Sequence, residues 1–202
     1  MVNYQIRRRG IVDPRVLHAM QTVWRHLFVP AEARREAYGD HALPIGHGQT
    51  ISQPYIVALM TEALRPAPGL SVLEVGTGCG YQAAVLAACG LRVVTLERIA
   101  ELAETARHNL AEAGYLEAVD VRTADGSEGT GSAEMFDRII VTAAAEAVPL
   151  ALMEQLEEGG CLVAPIGPPH LQQIYRFTHG GNRIEREALE AARFVPLIRD
   201  AD

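Results

Sequence analysis

Apolar positions along the chain follow two rhythms, and the change between them divides the sequence. From Asp13-Pro14 to Met20 they fall at helical spacing behind a capping aspartate and a first-turn proline, which predicts a helix. A second, short helix is expected over Ala31–Arg35 and a third from about Ser52 to Leu64, stopped by Arg65-Pro66-Ala67-Pro68-Gly69 because proline cannot continue it. Between these helices Gly46–Tyr55 is polar and reads as a loop. Beyond it, short apolar runs alternate with helical ones. Strands are predicted over Ser71–Val75, Arg92–Leu96, Val119–Thr123, Arg138–Thr142 and Cys161–Ala164, and helices over Gln82–Ala88, Ala100–Ala113 and Pro149–Gln155. Repeated strand–helix units imply an α/β fold, a mostly parallel sheet with helices on both faces. Gln172–Phe177 and Ile184–Val195 lack a long helix between them and predict antiparallel strands closing one edge. One domain over 1–202 is expected, with N-terminal helices and the polar loop in 1–65, the sheet core in 66–167 and C-terminal strands in 168–202.

Composition narrows the possibilities. With 202 residues, 49% hydrophobic and 21% charged, the chain has enough apolar material for a single core. Its net charge of -7 argues against a nucleic-acid partner, since backbone binders concentrate positive charge. Arg7-Arg8-Arg9, the basic run, reads as a solvated face or a local ion-pair donor. Cys79, Cys89 and Cys161 are odd in number and lack CxxC spacing, which fits a reducing, cytoplasmic setting. The histidines show no metal-binding spacing, so no metal is expected. No apolar run is long enough to span a bilayer, no secretory leader is visible at Met1–Ile6, and a monomer without membrane contact is expected.

The candidate chemistry sits at strand ends. After Val72-Leu73-Glu74-Val75 come Gly76-Thr77-Gly78-Cys79-Gly80, alternating glycines that let backbone approach a ligand where the amides of the next helix face it. Glu97 ends the following strand, where a carboxylate can accept from both ribose hydroxyls, and Asp125-Gly126 follows the third strand. A glycine turn, a solvated strand end and an Asp-Gly turn are each ordinary alone. Together, at the ligand-binding end of a parallel sheet, they point to a nucleoside cofactor. A nicotinamide dinucleotide would use the same geometry, but its fingerprint is Gly-x-Gly-x-x-Gly, and here the third glycine comes one position early.

Leu-Glu-Val-Gly-Thr-Gly resembles the first motif of class I S-adenosylmethionine-dependent methyltransferases, which implies their Rossmann-like sheet. Leu43-Pro44-Ile45-Gly46-His47-Gly48-Gln49-Thr50-Ile51-Ser52-Gln53-Pro54, with Arg25–Pro30 upstream and Arg193-Phe194-Val195-Pro196-Leu197 near the end, resembles the protein-L-isoaspartate O-methyltransferase family over nearly the whole chain. That resemblance implies methyl transfer from S-adenosylmethionine, leaving S-adenosylhomocysteine, to the free α-carboxylate of isoaspartyl residues in damaged proteins and peptides; the ester then closes to a succinimide. It implies cofactor contacts from Gln49, Thr50, Ile51, Glu74, Gly76, Thr77, Gly78, Gly80, Glu97, Arg98, Asp125, Gly126 and Thr142. It also implies Ser52 as the active-site serine, with Gln53, Phe194 and Val195 beside it on the substrate side. Cys79, Ala124 and the 126–132 loop, which lacks an aromatic residue, depart from the family's usual pattern.

The chemistry agrees. A carboxylate with a pKa near ~4 is ionised at neutral pH and needs no general base, so the site's task is to position it. Ser52 can also be read as a plain helix cap, a role compatible with anion binding at a helix start. His47, between two glycines, gets no proton-transfer role. A methyltransferase for one dedicated peptide, a cofactor binder without transfer activity and a nicotinamide-dependent oxidoreductase remain as rival readings.

Overall fold

A computed structural model of the chain describes residues 1–181 and 183–198, so positions 199–202 of the expected C-terminal segment lie outside the described residues. Helix α1 (Pro14–Thr22) starts where Asp13 accepts from the amides of Arg15 and Val16 at 2.8 and 3.3 Å, as its capping sequence predicts. The segment after Pro30 winds as a 3₁₀-helix over Ala31–Glu36.

The polar stretch is a β-hairpin, not a loop: β1 (Leu43–Gly46) pairs antiparallel with β2 (Gln49–Ile51). His47 and Gly48 at its turn have φ of 53° and 71°, the positive pair that a tight type I′ connection requires. Strands this short offer too few positions for an alternating pattern, and the apolar pair that sets their register, Leu43 with Ile51, is its main sequence trace. Helix α2 (Pro54–Ala63) begins later than expected. Its N-cap is Gln53 with no side-chain cap, so Ser52 lies outside the helix and is not its cap.

β3 (Ser71–Val75), β4 (Arg92–Glu97), β5 (Val119–Thr123), β6 (Phe136–Val141), β7 (Leu156–Ile166), β8 (Gln172–Gly180) and β9 (Arg183–Ala192) form one 7-stranded sheet in the order β5-β4-β3-β6-β7-β8-β9. The pairs from β5 to β7 are parallel; β8 and β9 add antiparallel. β7 starts before the expected Cys161–Ala164 because Glu157–Gly160 is taken into the strand as a bulge: Phe136 pairs with Leu156 and Arg138 with Cys161. Helices α3 (Tyr81–Ala88), α4 (Ala100–Glu112) and α5 (Leu150–Glu154) make the crossovers.

Alternation along the strands separates two cores. Val72, Ile140 and Val163 face the core shared with α1, α2, α3 and α4. Leu73, Val75, Ile139, Val141 and Leu162 face the other, closed by Leu152 of α5. From β3 the chain steps outward through β4 to β5, then returns to the opposite side of β3 as β6. That reversal opens a crevice at the carboxyl ends of β3 and β6, where sheets of this kind bind ligands.

Candidate active site

The end of β3 is built for close approach. Gly76 has φ 94°, and a Cβ there would come within 2.4 Å of Thr142 Oγ1. Thr142 in turn lies 2.6 Å from Gly76 O and 3.0 Å from Val75 O, which locks the ends of β3 and β6 together. Leu96 O accepts from the amides of Gly76 and Thr77 at 2.9 and 3.2 Å, so the turn leans over the end of β4. There Glu97 Oε2 accepts from Gly78 N–H at 2.8 Å and Oε1 from Ile99 N–H at 3.0 Å. Two backbone bonds fix this buried carboxylate and leave about two of its four lone-pair sites for a ribose diol. On the far side, a Cβ on Gly126 would meet Val75 Cγ1 at 2.5 Å, and Asp125 Oδ1 holds the next turn by accepting from Ser127 N–H at 2.9 Å.

Behind the turn lies a buried polar relay. Thr77 Oγ1 is 2.6 Å from Thr95 Oγ1, which donates to Glu74 Oε2 at 2.6 Å. Burial pushes the Glu74 carboxyl up to about 8; the bond from Thr95 opposes this and the nearby Glu97 charge adds to it. Glu74 is therefore protonated at neutral pH and acts as a prop beneath Thr77. Cys79 is buried and its thiol is pushed up to about 11 by desolvation, so the alkylation that an exposed thiol would invite is not expected. Arg25 is also fully buried, giving Nε to Ala37 O at 2.8 Å and lying 5.0 Å from the Tyr81 ring centroid, and burial lowers its pKa.

Three hollows meet at this crevice. The first runs from Glu97 and the glycine turn under the hairpin toward Val57, Met60 and Gln82. The second lies over Glu97, Arg98, Ile99 and Gly126, against Pro196–Ile198, and shares Gln49, Gly76 and Ala143 with the first. The third opens beside Arg9, Gln53, Glu190 and Phe194. Thr50, Ser52, Ile56, Thr142 and Val195 border both the first and the third, so they form the wall between two chambers. Val195 is held there by Ala144 N–H, which donates to its carbonyl at 2.8 Å. The Ser52 hydroxyl has no hydrogen-bond partner among the described residues.

Of the residues expected on the cofactor side, Gln49, Thr50, Ile51, Gly76, Thr77, Gly78, Glu97, Arg98, Gly126 and Thr142 line the first two hollows. Glu74, Gly80 and Asp125 stand behind the lining: Glu74 as the prop, Asp125 as the turn holder, and Gly80 where a Cβ would press on Leu110 and Ala106 of α4. On the substrate side Ser52, Gln53, Phe194 and Val195 line the third hollow. The residues of α2 and α3 in the first hollow, and Glu190 in the third, did not stand out in the sequence; Arg9 did so only within the basic run, and it pairs with Asp40 at 3.5 Å besides lining the third hollow. Gln82 carried one signal, a lone polar side chain in an otherwise apolar buried helix. Among the described residues no group of three or more His, Cys, Asp or Glu could hold a metal, and no helix is long and apolar enough to cross a membrane.

A glycine turn at the switch point, a backbone-held carboxylate at the ribose position and a 7-stranded sheet with an antiparallel edge define a class I S-adenosylmethionine-dependent methyltransferase. The chain belongs to the protein-L-isoaspartate(D-aspartate) O-methyltransferase family, whose sequence model matches residues 1–202. A relative from Methylorubrum populi named protein-L-isoaspartate O-methyltransferase is 54% identical over 200 residues, covering 98% of this chain and 93% of that one. One of the same name from Methanospirillum hungatei is 50% identical over 198 residues, covering 98% and 91%. A solved Plasmodium falciparum protein-L-isoaspartate O-methyltransferase in complex with S-adenosylhomocysteine superposes with a TM-score of 0.84 at 28% identity, covering 96% and 95%.

Proposed function

We propose that the chain methylates the α-carboxylate of L-isoaspartyl residues in damaged proteins and peptides, using S-adenosylmethionine, as the first step of repair through a succinimide. The observation that carries this is the wall shared by two chambers, with Ser52 in it. The glycine turn and Glu97 suit a nucleoside on one side, and the third hollow suits an extended peptide on the other. When bound, S-adenosylmethionine would supply an electrophilic methyl group on a sulfonium; its transfer to the carboxylate oxygen would form a C–O bond and break the C–S bond, leaving a neutral ester and a neutral thioether, S-adenosylhomocysteine.

The protein's own part is placement. Ser52 Oγ, free of other partners, donates to one carboxylate oxygen and leaves the second to attack; a single neutral donor preserves nucleophilicity better than a guanidinium clamp would. Ile56, Ala143 and Val195 keep the junction apolar, and an apolar junction favours a reaction that annihilates charge. The N–H of Val195 makes no hydrogen bond with a described residue and offers a second donor on the substrate side. Three buried free cysteines and the net charge of -7 fit the reading of a cytoplasmic monomer whose partners are isoaspartyl proteins and peptides, without nucleic acid.

The test is methyl transfer to a matched pair of peptides, one with an isoaspartyl linkage and one with the normal aspartyl linkage. Labelling of the first alone is expected. Equal labelling of both, or of neither, would overturn the substrate assignment.

A further inference from the structure

The deep end of the first hollow holds a polar group that the reaction described above does not use. Gln82 lies on α3, largely buried, among Val57, Met60 and Tyr81. Its Nε2 donates to Thr61 Oγ1 at 2.9 Å, and Thr61 Oγ1 stands 2.7 Å from Val57 O, one turn earlier on α2. A carbonyl oxygen carries no hydrogen, so at that distance the threonine hydroxyl must donate to it. Its single proton is then spent, and toward Gln82 it can only accept. This settles which way the carboxamide faces: the NH₂ group points at Thr61, and Oε1 is the end left over.

Oε1 has no hydrogen-bond partner among the described residues, and it is not among the sealed, partnerless polar atoms of the interior. It therefore opens into the hollow that Gln82 lines. Glu97 and the glycine turn lie along the same hollow, and Gln82 does not reach the third one, where the peptide is placed. A lone acceptor held in a fixed orientation inside an apolar end selects a donor, and a cation before a neutral one. A carboxylate would be repelled there.

We infer that Gln82 Oε1 receives the α-ammonium of the cofactor's aminoacyl arm, with Thr61 as the positioning residue that fixes the amide. The inference rests on the S-adenosylmethionine reading of the same cleft. Glu97 would hold the ribose at one end and Gln82 the ammonium at the other, leaving the sulfur between them beside Ser52. Two anchors on either side of the reacting centre limit its rotation, which is how binding distant from the chemistry aids alignment.

Calorimetry with S-adenosylhomocysteine and its des-amino analogue, which keeps the carboxylate and lacks the ammonium, tests this without turnover. The unsubstituted protein should bind S-adenosylhomocysteine about 10- to 100-fold more tightly than the analogue, the range for one charge-assisted hydrogen bond. Gln82→Leu should lose that preference, binding S-adenosylhomocysteine as weakly as the analogue and leaving analogue affinity within about twofold. Thr61→Val, which frees the amide to turn, should lose part of the preference. Gln82→Met keeps the bulk, so a folded protein is available if Leu disturbs α3. Equal weakening of both ligands, no weakening of either, or no preference in the unsubstituted protein would overturn the assignment. Failure of the unsubstituted protein to bind S-adenosylhomocysteine at all would instead overturn the cofactor reading beneath it.

Discussion

Replacing Glu74 with glutamine should change how stability depends on pH more than it changes stability itself. Glu74 is fully buried, and its carboxyl is raised from the ordinary 4.5 to about 8, chiefly by desolvation. Between those values the unfolded chain releases this proton and the native protein keeps it. Native stability therefore falls as pH rises through the window, and the penalty is complete above about 8. At ~1.4 kcal/mol per pH unit the loss reaches ~5 kcal/mol, a ceiling that water entry and relaxation reduce. Glutamine has the shape of the protonated form and cannot ionise, so Glu74→Gln removes the slope. Urea unfolding of both proteins from pH 5 to pH 9 reads this directly. The two stabilities should be similar at the acid end, and the variant should gain by roughly 1 kcal/mol per pH unit up to about 8. Parallel curves would refute the reasoning, because they would mean that Glu74 is ionised in the native protein.

Three other perturbations separate the chambers. Ser52→Ala removes one donor to the acceptor carboxylate and should lower turnover about 10-fold with S-adenosylhomocysteine affinity unchanged in calorimetry. Glu97→Ala strips the ribose acceptor and unpairs the Gly78 amide, so S-adenosylhomocysteine affinity should fall by about 10- to 100-fold. Arg9 lies 3.4 Å from the centroid of the Tyr55 ring, pairs with Asp40 at 3.5 Å and walls the third hollow; Arg9→Ala should raise the peptide KM several-fold while kcat holds, as steady-state kinetics would show.

The parallel core was legible because each of its elements carries its own period. β3 and β5 fall on Ser71–Val75 and Val119–Thr123, the bounds that the apolar runs predict. The hairpin and the bulge in β7 escaped because their backbone is fixed by positive-φ residues such as His47, Gly48 and Gly159 rather than by alternation. The cofactor chemistry was legible for a similar reason: glycines and an acid at successive strand ends are functional by position. Gln82 was not, since a helix buried on all sides hides which of its residues faces a cavity.

The same contrast separates the two halves of the reaction. On the cofactor side the glycine turn, Glu97 and Thr142 belong to successive strand ends, while Gln49–Ile51 of the hairpin with Ser52 after it, Ile56, Val57 and Met60 of α2 and the tail at 195–198 complete the hollows. The acceptor side is assembled across the chain, from Arg9, from Thr50 of β2 with Ser52 and Gln53 just after it, and from Glu190–Val195. Its junction depends on bonds such as Ala144 N–H to Val195 O at 2.8 Å and Leu197 N–H to Ala144 O at 2.7 Å, which join segments that no local pattern connects. The strand ends thus supply the glycine turn and the ribose acceptor, whereas the carboxylate is aimed only when the hairpin and the tail both lie against the end of β6. Substitutions that loosen either segment should therefore impair acceptor binding and turnover, and should also weaken S-adenosylhomocysteine in calorimetry, because both segments line the cofactor hollows as well.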